Sequence, residues 1–103
     1  MSDKLIKDGK VAVLVSGEHG AGWSTWNRDS PDLVFHKGIA EHIEKKGSIT
    51  KQEAQDILGD DYYVGGACDL YIEWVDVGTR FRITEYDGSE SLEIINQIEY
   101  YIA

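Results

Sequence analysis

The run VAVLV at residues 11–15, followed by SGEHGAGWSTWN at residues 16–27, decides how the rest of the chain is read. Residues 10–16 are short, valine-rich and bounded by a glycine-containing loop, which is the pattern of a buried strand. The loop itself holds Gly17, Gly20 and Gly22 together with Ser24, Thr25, Trp23 and Trp26. Glycines there permit close backbone approach and can aim N–H groups at an anion. Two tryptophans in so turn-prone a stretch have two readings. Either they pack the loop onto the core, or one of them stacks on a ligand while the other anchors.

Downstream, Ser30-Pro31 has the form of a helix start, with Asp32 in the first turn. Residues 33–46 carry Val34, Phe35, Ile39, Ala40 and Ile43 near one helical face, with a helix that starts either in its first turn or after Gly38. Lys45, Lys46 and Gly47 suit the C-terminal end. Thr50 and Glu53 make a capping box for a second helix over residues 51–58, which Gly59 ends. This pair is not a DNA-reading helix-turn-helix, because the second helix carries more acid than base.

From residue 70 the period changes to two. Leu70, Ile72 and Trp74 alternate with Tyr71, Glu73 and Val75, and residues 79–86 alternate again. These two stretches are expected to pair as an antiparallel hairpin around Asp76-Val77-Gly78. Asp87-Gly88 is a strong turn signal, and residues 89–95 read as the returning strand. Val64 is a candidate for a further short strand. The expectation is one small α+β domain over residues 1–103. It has an N-terminal strand, two helices and then an antiparallel β-meander, with residues 1–9 as a flexible N-terminal segment.

The 103 residues suit a single core, and hydrophobic residues make up 42% of them. The polar N-terminus and the lack of a ~20-residue apolar run point to a cytoplasmic protein rather than a membrane one. Cys68 is alone and has no partner for an internal disulfide. Nineteen acidic residues against ten basic ones give a formal net charge of −9. That field disfavours direct nucleic-acid binding and favours basic partners, or a small anion in a local basic pocket.

Two motifs, GAGWSTWN and GGACDLYIEWVDVGTRFRITEYDGSES, together resemble a family of small proteins of bacteriophages and prophages. The likeness runs from Val11 to about Ile95. At the loop's start Gly17-Glu18-His19 stands where the family has a proline after the serine. The resemblance implies expression in the cytoplasm of a bacterial host. It also implies an accessory role against host defence, either as a sponge for nucleotide signals or as an inhibitor of a defence enzyme.

The candidate binding residues are Gly20, Gly22, Trp23, Ser24, Thr25, Trp26 and Asn27, with Arg80, Arg82, Glu85 and Asp87. In the first reading Trp23 or Trp26 stacks on a base. Backbone N–H groups, Ser24, Thr25 and Arg80 hold phosphate, and Glu85 or Asp87 meets ribose or base. The loop is neither a P-loop nor a dinucleotide fingerprint, since its glycines fall as GxxGxG. Arg80 and Arg82 have a simpler alternative, cross-strand pairing with Glu73 or Glu93. Histidines 19, 36 and 42 lack metal-ligand spacing, and no stretch reaches the form of a catalytic motif. No cofactor, metal or catalytic activity is therefore expected. The first expectation is a protein that sequesters a small nucleotide-like ligand, with a homo-oligomer supplying depth to the site. The second is an acidic inhibitor of a host nucleic-acid-binding defence protein, and the third a structural protein of the phage particle.

Overall fold

In the computed structural model, which describes residues 4–17, 22–27, 30–59 and 62–95, strands β1 (Ile6–Lys7) and β2 (Lys10–Ser16) form a tight hairpin. Asp8 and Gly9 join them, both with positive φ (52° and 77°). Asp-Gly fits this geometry because two-residue hairpins of the I′ type need left-handed backbone at both central positions. The part of the N-terminal segment that is described is thus tied to β2, where the sequence reading expects flexible chain. The turn signal KDGK was present and is of the same kind as the one at Asp87-Gly88.

All of β2 from Val11 to Ser16 is buried. A strand that is apolar on both faces must be covered on both, and the remaining elements supply the two layers. Strand β3 (Leu70–Asp76) pairs antiparallel with β2 along its whole length, from Lys10↔Asp76 to Ser16↔Leu70. Ala12, Leu14 and Leu70 point to a helical layer and pack with Trp23, Leu33, Ile39, Ala40, Ile43, Ile49, Ala54 and Ala67. On the opposite face Val13, Val15 and Val75 pack with Val34, Phe35, Phe81, Ile83 and Leu92. Phe35 meets Phe81 edge-on, with ring centroids 5.8 Å apart.

The helical layer is built as its sequence directs. Helix α1 (Lys37–Lys46) buries Ile39, Ala40 and Ile43 and ends at Gly47, whose φ is 87°. Helix α2 (Lys51–Leu58) has the Thr50/Glu53 capping box in full. The Thr50 hydroxyl accepts from Glu53 N at 3.1 Å, and Glu53 accepts from Thr50 N at 2.9 Å. The hydrogen bond from Thr50 N, and after it one from the Thr50 side chain, hold the Glu53 carboxyl below its ordinary range. Residues 33–46 do not form one helix. Pro31–Phe35 is a 3₁₀ turn with the proline at its first position, and α1 begins only after His36. The break turns Phe35 to the hairpin layer instead of the helical stripe.

The hairpin layer is β4 (Phe81–Tyr86) and β5 (Ser89–Ile94), joined by Asp87 and Gly88 at φ 50° and 86°. The expected β3–β4 pairing does not form. After β3 the chain turns through Val77 and Gly78 (φ 89°), with Thr79 N donating to Asp76 O. Alternation fixes which side chains share a face, but it does not choose the neighbouring strand. Here β2 recruits β3 as a neighbour, and β4–β5 crosses over to cover the face that the helices leave open. The architecture is α+β: an N-terminal strand, two helices, then antiparallel strands, in helix, three-stranded sheet and hairpin layers. Val64 is not in a strand; its carbonyl accepts from Ala67 N and opens a 3₁₀ turn, Ala67–Asp69. Residues 96–103, whose sequence admits either a strand or a helix, lie outside the described residues. Among the described residues no helix is long and apolar enough to cross a membrane.

Candidate functional site

The loop after β2 is organised around a carboxylate from the far end of the chain. Glu90 shares the inner face of β5 with Leu92, which packs against Val13, Val15 and Val75. Docking Leu92 on that sheet carries Glu90 to the end of β2, where it is only 2% exposed. Its Oε1 accepts from Ser16 N at 3.0 Å. Its Oε2 accepts from Trp23 N at 2.7 Å, from Thr25 N at 3.1 Å and from the Thr25 hydroxyl. A buried charge is tolerated only when it is paired or richly hydrogen-bonded. Among the described residues no Lys, Arg or His forms an ion pair with Glu90, so these donors supply the compensation. The amides of Ser16, Trp23 and Thr25, at the two ends of the glycine-containing stretch, thus converge on the protein's own side chain.

The two tryptophans divide the two readings between them. Trp23 is fully buried and its Nε1 donates to Leu33 O at 3.0 Å. It is a core residue and offers no face to a ligand. Trp26 is 39% exposed, lies 5.3 Å from the Tyr63 ring at 41°, and donates from Nε1 to Glu85 at 3.2 Å. Asn27 locks this pair in place. Its amide nitrogen donates to Trp23 O and Tyr63 O, and its amide oxygen accepts from Tyr63 N. Ser24 and Thr25 are half-buried in the 3₁₀ turn Ser24–Trp26. Gly22 is buried against Trp26 and Thr25: a Cβ there would stand 2.6 Å from Trp26 Cδ1. Gly20 and His19 lie outside the described residues.

Of the second-half candidates, only Glu85 meets the loop, and its Oε2 also accepts from Gly88 N at 2.7 Å. Asp87 serves the turn through its left-handed backbone. Arg82 pairs with Glu93 across the hairpin at 2.6 Å. It sits three residues from Glu85, about 10 Å along the strand, and alternation places it on the opposite face. Arg80 is exposed just before β4. The arginines therefore do not join the loop to form a phosphate cradle. Glu90 and Tyr63 stand outside the set of candidate binding residues drawn from the sequence, and the structure brings both to the loop. Glu90 had a signal, because it falls in phase with Leu92 and Ile94 on a face that must be buried.

Around this centre the Tyr71 hydroxyl is raised above its ordinary pKa, mainly by burial and then by the charges of Glu73 and Glu90. Among the described residues no group of three or more His, Cys, Asp or Glu side chains has the geometry to hold a metal ion. Comparison with protein-family models, with curated proteins and with solved structures yields no match to this chain.

Proposed function

We propose that this chain is a binding protein of phage origin that docks on a basic surface of a host protein in the bacterial cytoplasm. The observation that carries the reading is the Trp26–Tyr63 pair, bordered by Glu85 and standing on a chain of net charge −9. Tryptophan and tyrosine are the residues that most often anchor protein interfaces, and surrounding carboxylates steer a basic partner onto them. The loop's inward donors are engaged by Glu90, which leaves the outward aromatic pair as the part available for contact.

A nucleotide-type ligand is the second reading, supported by the exposed Trp26 indole, on which a base can stack. One pair of experiments separates the two. A thermal-shift panel of cyclic and linear nucleotides should be flat in the first reading. In the second, a ligand at ~100 times its dissociation constant adds about 2.7 kcal/mol of stability. Affinity capture from bacterial lysate should be strong at low salt, weak at high salt, and lost with Trp26→Ala/Tyr63→Ala. Capture that is indifferent to both salt and the double variant defeats the first reading.

A further inference from the structure

The outer edge of β3 is a second surface, and its hydrogen-bonding groups can be read from the register. Gly17 N donates to Asp69 O and Val77 N donates to Gly9 O, at either end of the β2–β3 ladder. With the register Lys10↔Asp76 to Ser16↔Leu70, the hydrogen-bonded pairs are those of the odd-numbered β3 residues. Antiparallel ladders alternate, so Tyr71, Glu73 and Val75 direct their N–H and C=O groups to β2. Ile72 and Trp74 direct theirs away from it. Among the described residues β3 is the last strand of its sheet on that side.

The edge opens into a groove of about 460 Å³ whose lining includes Trp74, Leu92 and Ile94 and the charged residues Lys10, Glu73 and Asp76, two acids to one base. Trp74 is 36% and Ile94 47% exposed there. Among the described residues no strand pairs with this seven-residue edge, and an edge with aromatic and β-branched side chains is a template for a further strand. We propose that this edge binds an extended, basic segment of a partner protein by strand addition. The incoming segment pairs with the N–H and C=O of Ile72 and Trp74 and sets alternate apolar side chains against those two residues on one side of the sheet. Its lysines or arginines lie on the other side, where they meet Glu73. Charge decides the occupant. A second copy brings another net charge of −9, and a symmetric pairing centred on Glu73 sets two carboxylates opposite each other, whereas a basic segment is attracted. The inference rests on the reading of the chain as a binding protein, at a surface separate from Trp26.

The test uses the full chain and a fluorescein-labelled eight-residue peptide that alternates lysine and valine. A second peptide of identical charge carries N-methyl groups on the amides of one edge. Binding of the first should be at least tenfold tighter than binding of the second. Trp74→Pro should lower it by a similar factor, since that N–H is not used within the sheet. Trp26→Ala should leave it unchanged, which keeps this result separate from the Trp26 surface. The Ile72 and Trp74 amides should exchange freely in the protein alone and slow at least tenfold with peptide. Equal binding of the two peptides overturns the proposal, because charge alone then suffices. Amides already protected in the free monomer overturn it in favour of an edge closed by the chain itself. A dimer that Trp74→Pro dissociates overturns it in favour of a second copy.

Discussion

Glu90 Oε2 accepts a 2.7 Å hydrogen bond from the backbone nitrogen of Trp23, 67 positions earlier in the chain. This contact ties the β4–β5 hairpin to the loop after β2, and the same carboxylate holds Ser16 N and Thr25 N. Glu90→Ala leaves those three N–H groups without their acceptor, at about 1–3 kcal/mol for each that stays dry. A loss of ~3 kcal/mol or more is expected in urea unfolding. Glu90→Gln keeps the shape and one carbonyl acceptor and should cost less. Thr25→Val removes the hydroxyl donor, and its effect should be smaller in the Glu90→Ala background than in the wild type. Additive effects would show that the carboxylate and the threonine act independently.

The tryptophans should separate in both fluorescence and stability. With Trp26→Phe and Trp74→Phe in place, Trp23 is the last of three indoles, and acrylamide should scarcely quench it. Trp23→Ala should cost ~3–5 kcal/mol as a large core truncation. Trp23→Phe preserves most of the volume but removes the indole's hydrogen bond to the Leu33 carbonyl, which keeps the longer one from His36 N, and should cost about 0.5–1.5 kcal/mol. Trp26→Ala removes one exposed aromatic contact and should cost only ~1 kcal/mol. Ready quenching of Trp23 would place it at the surface and return it to the list of ligand contacts.

How far the sequence discloses this depends on the range of the interaction concerned. The capping box at Thr50 and Glu53, the Gly47 stop and the Asp87-Gly88 turn are local, and each is visible within four residues. The partner of β3 is not local. Nothing within LYIEWVD distinguishes pairing with residues 10–16 from pairing with 81–86, because alternation reports faces and not neighbours. The Glu90 contact is the same kind of problem over 67 positions. The loop's glycines and serine-threonine pair admit either an anion contact or packing onto the core, and only the docked hairpin brings Glu90 to the Ser16, Trp23 and Thr25 amides. Trp23 and Trp26 differ by a single helical turn, and their opposite fates follow from which indole reaches Leu33.

His36 gives the fold a defined dependence on pH. Its Nδ1 accepts from Ile39 N at 3.2 Å and so caps α1. Burial lowers its pKa from the ordinary 6.5, with an opposing contribution from a backbone hydrogen bond. The folded state therefore favours the neutral ring. Between the lowered value and 6.5 the unfolded chain binds more protons, so stability rises with pH through that window. The contribution is complete above about 6.5 and is lost as the pH falls through the folded value. His36→Asn keeps a capping acceptor without the titration. The urea midpoint of the wild type should fall more between pH 7.5 and 5 than that of His36→Asn. Parallel profiles would remove His36 as the cause.

Gly22 offers the sharpest test of the loop's packing. Its φ is not among the positive ones, so alanine meets no backbone strain there. The obstacle is steric: the added carbon would lie 2.6 Å from Trp26 Cδ1 and 2.8 Å from Thr25 Oγ1. Thr25 is held by Glu90 and Trp26 by Glu85 and Tyr63, so neither yields freely. Gly22→Ala should cost ~1–3 kcal/mol, the range for forcing extra volume into a packed site. It should also displace the indole and weaken any binding that depends on Trp26. Combined with Trp26→Ala, the closest obstacle is gone and the cost of the alanine should fall. A cost that persists undiminished in that background would assign the close fit to Thr25 and the Glu90 contact instead of the exposed indole.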